Sequence, residues 1–240
     1  MQNKYAGDIG DYGKLGLLRK LHATGLSIGV NWYLTPDEQN GDGRFTAYQK
    51  YRGCDELLFD ELKKIVDGQR REVAALENDA ILPAVFFSQS LDYGGRAKAE
   101  RAGFREQWHK EALQQLSGAD FAFVDPDNGL MVPSAEGTRR DNKYVTVREL
   151  ADYYRQGATV MYYQHKARRR DDFYRKQHEE LVSGGLFPGA TGLGLKFSPI
   201  SQRYYFFLVR PEHCTAIRAA VEELFGSAWG QNVFSALRGD

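Results

Sequence analysis

The chain has 240 residues, with 32 lysines and arginines against 32 aspartates and glutamates, so no global basic field marks it for nucleic acid or an anionic membrane. Its two cysteines, Cys54 and Cys214, are too few for a disulfide framework and lack metal-site spacing, which fits a reducing cytoplasm. Met1-Gln2-Asn3-Lys4-Tyr5 has no apolar leader, and no stretch approaches the roughly 18 uninterrupted apolar residues of a membrane span, so a soluble α/β chain with a single core is expected.

In chain order, a polar, glycine-rich leader (residues 3–14) enters a helix over 15–21, with Asp8 or Asp11 able to cap it. Residues 26–34 read as the first strand. Residues 55–69 place Leu58, Leu62 and Ile65 on one helical face behind an Asp55 cap, and 84–88 form a short second strand. Phe104, Trp108 and Ala112, four apart, give a stripe that packs a helix of 101–116 on a sheet. A strand over 119–125, a helix over 147–156, a strand over 159–163, a helix over 169–182 and two β-rich runs at 192–197 and 204–209 follow. A helix over 212–225 closes the pattern. Alternation of this kind predicts a doubly wound, mostly parallel sheet ending in an antiparallel hairpin.

The apolar run Phe121-Ala122-Phe123-Val124 stops at Asp125-Pro126-Asp127-Asn128-Gly129, which cannot continue a strand. Its carboxylates therefore emerge at the carboxyl end of the sheet, the edge where open α/β sheets bind ligands. Tyr162-Tyr163-Gln164-His165-Lys166 ends the next strand and brings Gln164 and His165 beside that loop. Lys143 and Tyr144 close a polar loop from which long cations reach a phosphate, and Arg168 belongs to the one concentrated basic stretch, residues 166–176. Such cations suit RNA, DNA or a nucleotide as substrate.

Ala6-Gly7-Asp8-Ile9-Gly10-Asp11-Tyr12-Gly13-Lys14 resembles the leader of the large-subunit ribosomal RNA adenine N6-methyltransferases, which use S-adenosylmethionine. Ala6, Gly7, Asp11 and Lys14 match; Asp8 stands for an asparagine and Leu15 for a histidine. Asn40-Gly41-Asp42-Gly43-Arg44 resembles the family's glycine-x-glycine-arginine loop. Asp125-Pro126-Asp127-Asn128 falls where the family has aspartate-proline-proline-tyrosine, with Asp127 and Asn128 replacing the second proline and the aromatic. The resemblance implies a Rossmann-like sheet with residues 1–25 packed on the cofactor side. It implies cofactor contacts from Tyr5, Asp11, Lys14, Gly41 and Gly43, and chemistry at Asp125, Asp127, Asn128 and His165. Lys143, Tyr144, Gln164 and Arg168 are the expected substrate contacts.

Two other readings stay open. Asp125 and Asp127, with Asp8 or Asp11 and His165, also suit Mg2+ or Mn2+ in a nuclease or phosphodiesterase, although no complete nuclease motif is present. The altered motifs equally suit a non-catalytic module that binds a nucleotide or a partner on the same fold.

Overall fold

The computed structural model describes residues 1–237. Helix α1 (Ile9–His22) is followed by β1 (Ile28–Asn31), α2 (Glu56–Asp67), β2 (Val85–Phe87), α3 (Lys98–Gln115) and β3 (Phe121–Val124). Then come the two-residue strands β4 (Gly129–Leu130) and β5 (Tyr144–Val145), α4 (Val147–Arg155), β6 (Thr159–His165) and α5 (Asp171–Ser183). The chain closes with β7 (Thr191–Phe197), β8 (Arg203–Val209), α6 (Cys214–Gly226), α7 (Ala228–Asn232) and β9 (Phe234–Ala236).

Seven strands form one sheet in the order β2-β1-β3-β6-β8-β7-β9. Strands β2, β1, β3 and β6 are parallel; β8 runs against both β6 and β7, and β9 runs against β7. The fold is thus α/β and Rossmann-like, and the predicted hairpin is the β7–β8 pair. Alternate residues feed opposite layers: Phe121 and Phe123 join a core with α1, α2, α6 and α7, whereas Ala122 and Val124 join one with α3, α4 and α5. Among the described residues no helix is long and apolar enough to cross a membrane.

Local chemistry explains the helix starts. The Asp55 side chain accepts from Leu58 N, as its sequence position suggests. Thr146 and Glu149 form a reciprocal capping box ahead of α4.

Helix α1 is capped by Asp8, one of the two expected caps, but it differs from expectation in beginning at Ile9 rather than at Leu15. Gly10, Gly13 and Gly16 lower its intrinsic helix propensity. They also form a bare stripe: a Cβ would collide with the Arg203 guanidinium at Gly10, with the Phe197 ring at Gly13 and with the Trp229 indole at Gly16. Close packing of α1 on the β7–β8–α7 end of the molecule thus selects a sequence that a propensity scale disfavours. Helix α7 and strand β9 were also unforeseen; both are short, and β9 is recruited to the sheet edge by pairing with β7.

Candidate functional site

The strand order reverses between β1, whose crossover leads outward to β2, and β3 on its other side, which opens a crevice at their carboxyl ends. Asp125 N donates to Asn31 O at 2.9 Å and ties the exit of β3 to that of β1. Directly beyond, fully buried Tyr33 adopts φ 44°, a left-handed conformation uncommon outside glycine. The Met1 amino group donates to Tyr33 O at 3.1 Å and to Asp125 O at 3.0 Å, so the leader covers this crevice.

The Asp125–Asn128 loop is held from behind. Gln164 donates through Nε2 to Asn128 O at 3.0 Å and accepts from Leu130 N through Oε1 at 3.0 Å. Gly129 follows at φ 111°, and a Cβ there would collide with the Gln164 amide, so both the conformation and the close approach require glycine. Gln164 is therefore a positioning residue for the loop, where the sequence suggested a substrate contact.

Helix α1 supplies the facing wall. Lys14 Nζ lies 2.9 Å from Asp11 Oδ1 and 2.5 Å from Asp125 Oδ2, and all three side chains are almost completely buried. Burial alone would lower the Lys14 pKa, but the two carboxylates more than offset it and hold the ammonium charged well above its ordinary range. The Asp11 carboxyl is pushed upward as well, by burial, and only partly drawn back by Lys14. Asp127 sits at the rim, 2.7 Å from the Met1 amino group and 3.6 Å from Lys143 Nζ, and accepts from Gln2 Nε2 at 2.6 Å. Burial would raise its pKa; these three partners win and keep it below the usual carboxylate range.

Between these walls lies a cleft of about 260 Å³ that also exposes Tyr5, Phe45, Tyr163, His165 and Arg203. His165 is the last residue of β6; its Nδ1 is 3.2 Å from the Tyr163 hydroxyl. Partial burial and then the neighbouring Arg203 cation draw its pKa below the ordinary histidine value, so the ring is neutral at pH 7.

Of the residues singled out from sequence, the cleft gathers Tyr5, Asp11, Lys14, Gly43, Asp125, Asp127, Asn128, Lys143 and His165. Gly41, Tyr144, Gln164 and Arg168 are not part of its lining. Gly41 and Arg168 are exposed, and Tyr144 pairs through β5 with Gly129. At Gly43 a Cβ would meet the Lys4 backbone oxygen and the Tyr5 ring, so this glycine lets the 40–44 loop close on the leader at the edge of the cleft. Phe45, Ser201 and Arg203 also border the cleft; they lie outside any motif, and only the pairing of β6 with β8 brings Arg203 opposite His165.

The donor set speaks to both groups that the sequence raised. Among the described residues no cluster of three is arranged to hold a metal, and Lys14 Nζ occupies the space between Asp11 and Asp125 where a shared cation would sit. The cleft also carries Asp8 and Asp42 and the rings of Tyr5, Phe45 and Tyr163 beside the paired Glu38 and Asp127, a mixed charged and aromatic lining. No known protein family matches the chain, and no curated protein matches it either.

Proposed function

We propose that the protein is an S-adenosylmethionine-dependent methyltransferase acting on a nucleotide or nucleic acid, with its working site in this cleft. The observation that carries the reading is convergence. Two segments singled out more than a hundred residues apart, the leader and the Asp125 loop, meet through the direct Lys14–Asp125 ion pair at the ligand-binding edge of a Rossmann-like sheet.

The cofactor, when bound, supplies an electrophilic methyl group. Tyr5, Phe45 and Tyr163 line the cleft and are the rings available to stack on a planar base, standing in for the aromatic that the resembled family carries at the position of Asn128. Asn128 lines the cleft at the rim and is the residue expected to orient an exocyclic amine, while Asp127 is held by Met1, Gln2 and Lys143. A nitrogen that gains a methyl group must lose a proton. Neutral His165, exposed at the rim with its Nδ1 beside the Tyr163 hydroxyl, receives that proton at Nε2. Lys14 holds Asp11 and Asp125 in place and keeps both carboxylates out of the proton transfer.

The test is transfer of radiolabelled methyl from S-adenosylmethionine to separate pools of RNA, single-stranded DNA and nucleotides. Label should enter one pool and fall at least about 100-fold in His165→Asn, the usual worth of a general base. No incorporation, together with Mg2+-dependent cleavage of the same pools, would transfer the site to phosphodiester hydrolysis.

A further inference from the structure

Arg203 opens β8 and stands opposite His165 in the β6–β8 register. It is only 8% exposed, and although Asp8 and Asp11 act on its charge, among the described residues no carboxylate forms an ion pair with it. Among the described residues its side chain makes one hydrogen bond, from Nη2 to Ser201 Oγ at 2.6 Å, and its buried Nε has no partner. The guanidinium carbon lies 5.2 Å from the centre of the Phe197 ring, and Nη1 lies against Gly10, whose missing side chain makes the room.

The other lysines of the cleft are already paired: Lys14 with Asp11 and Asp125, and Lys143 with Glu38 at 2.6 Å and with Asp127. The amides at the start of α1 are taken as well, since Gly10 N and Asp11 N donate to Asp8 and Ile9 N donates to Phe45 O. Burial alone would lower the Arg203 pKa, but Tyr163, Tyr205, Asp8 and Asp11 around it raise it, so its charge is held in place while most of its five N–H donors lack an acceptor, which an oxyanion in the fork supplies.

The neighbouring chain indicates which oxyanion. Lys166 N donates to Gln202 O at 3.3 Å, so the exit of β6 lies alongside Arg203. Lys166 and Lys196 are both held by Asp171, but the exposed Arg168 and Arg170 that follow have no ion pair among the described residues. A buried fork continued by surface cations matches a phosphate with a chain beyond it.

We propose that Arg203, with the Ser201 hydroxyl, is the phosphate anchor of the cleft and takes the phosphate attached to the nucleoside that the cleft binds. The proposal rests on the nucleotide part of the functional reading and is independent of methyl transfer.

The experiment is calorimetric titration of the full chain and of Arg203→Gln, Arg203→Lys and Gly10→Ala with adenosine, adenosine 5′-monophosphate, a single-stranded ten-nucleotide DNA and S-adenosylmethionine. The wild type should prefer the monophosphate to adenosine by roughly 10- to 100-fold. Arg203→Gln should abolish the preference and Arg203→Lys should restore part of it. Gly10→Ala, which displaces the guanidinium without removing it, should also lose it. Arg203→Gln should leave the affinity for adenosine itself unchanged; a purely structural arginine would weaken adenosine and its monophosphate alike. Arg168→Gln with Arg170→Gln should weaken the oligonucleotide alone.

Equal binding of adenosine and its monophosphate, or a preference that survives Arg203→Gln, overturns the proposal. So does weakened S-adenosylmethionine binding in Arg203→Gln with the monophosphate preference intact, which would assign the guanidinium to the cofactor carboxylate. A preference lost in Arg203→Gln while S-adenosylmethionine never binds upholds the anchor and removes the methyltransferase reading.

Discussion

Replacing Lys14 with methionine keeps most of the side-chain volume and removes one charge from a buried acid–base–acid cluster. The ammonium lies 2.9 Å from Asp11 and 2.5 Å from Asp125, and Asp11, Asp125 and Lys14 are 0%, 3% and 5% exposed. Removing one partner of a buried pair leaves an uncompensated charge and costs about 3–5 kcal/mol. For a chain of this size that is a fall in Tm of roughly 6–20 °C. The loss should depend on pH in a defined direction. Without Lys14 the folded-state pKa of Asp11, already raised by burial, rises further above its unfolded value. The folded variant then binds more protons than the unfolded chain between those two values, so its stability increases as pH falls from 8 towards 5. Urea denaturation of wild type and Lys14→Met at pH 8, 6.5 and 5 measures both effects. A deficit below about 1 kcal/mol at pH 8, or one that does not shrink on acidification, would refute the coupling described here.

Glu149 titrates in the opposite sense: burial would raise its pKa, but Arg105, bound at 2.6 Å and 2.8 Å, more than offsets this and lowers it. Its stabilisation is full above the unfolded value of about 4.5 and is lost as pH falls towards the depressed folded value. Glu149→Gln should therefore lose stability at pH 7 and flatten the acid limb of a denaturation curve; an unchanged limb would contradict the assignment. Gly16→Ala should destabilise by about 1–3 kcal/mol through overpacking on the fully buried Trp229, readable as a drop in the urea midpoint, and an unchanged midpoint would show that the stripe is not closely packed. The rate of methyl transfer should rise with pH through the lowered His165 pKa and level off by pH 7, and a profile still climbing above pH 8 would remove His165 as the base.

Most of the sheet was readable from periodicity. The runs at 119–125, 192–197 and 204–209 became β3, β7 and β8 within a residue or two: β3 and β8 are buried on both faces and read as apolar runs, whereas β7 reads through the alternation of Leu193, Leu195 and Phe197 with Gly192, Gly194 and Lys196. The start of α1 was not readable, since its glycines answer to Arg203, Phe197 and Trp229, contacts that a local pattern does not contain. The site shows the same division. Asp125, Asp127 and His165 could be placed because each lies at or within two residues of the end of a predicted strand, and strand ends at the carboxyl edge converge. Arg203 begins its strand instead, and β8 runs antiparallel, which returns a strand start to that same edge. The one prior signal was an arginine directly before the apolar run of a predicted terminal hairpin. Gln164 was assigned to the wrong side of the loop because β6 runs two residues further than its apolar stretch, and period-two alternation then turns Gln164 away from the cleft.

The central claim is that the cleft holds S-adenosylmethionine against exposed aromatic faces, and Phe45, 47% exposed, is the ring whose loss disturbs folding least. Calorimetric titration of wild type and Phe45→Ala with S-adenosylmethionine tests it directly. The account predicts saturable one-to-one binding by the wild type that weakens roughly tenfold or more in Phe45→Ala, as loss of a base-stacking ring does. Absence of binding at millimolar cofactor, or equal affinity in the two proteins, would contradict it.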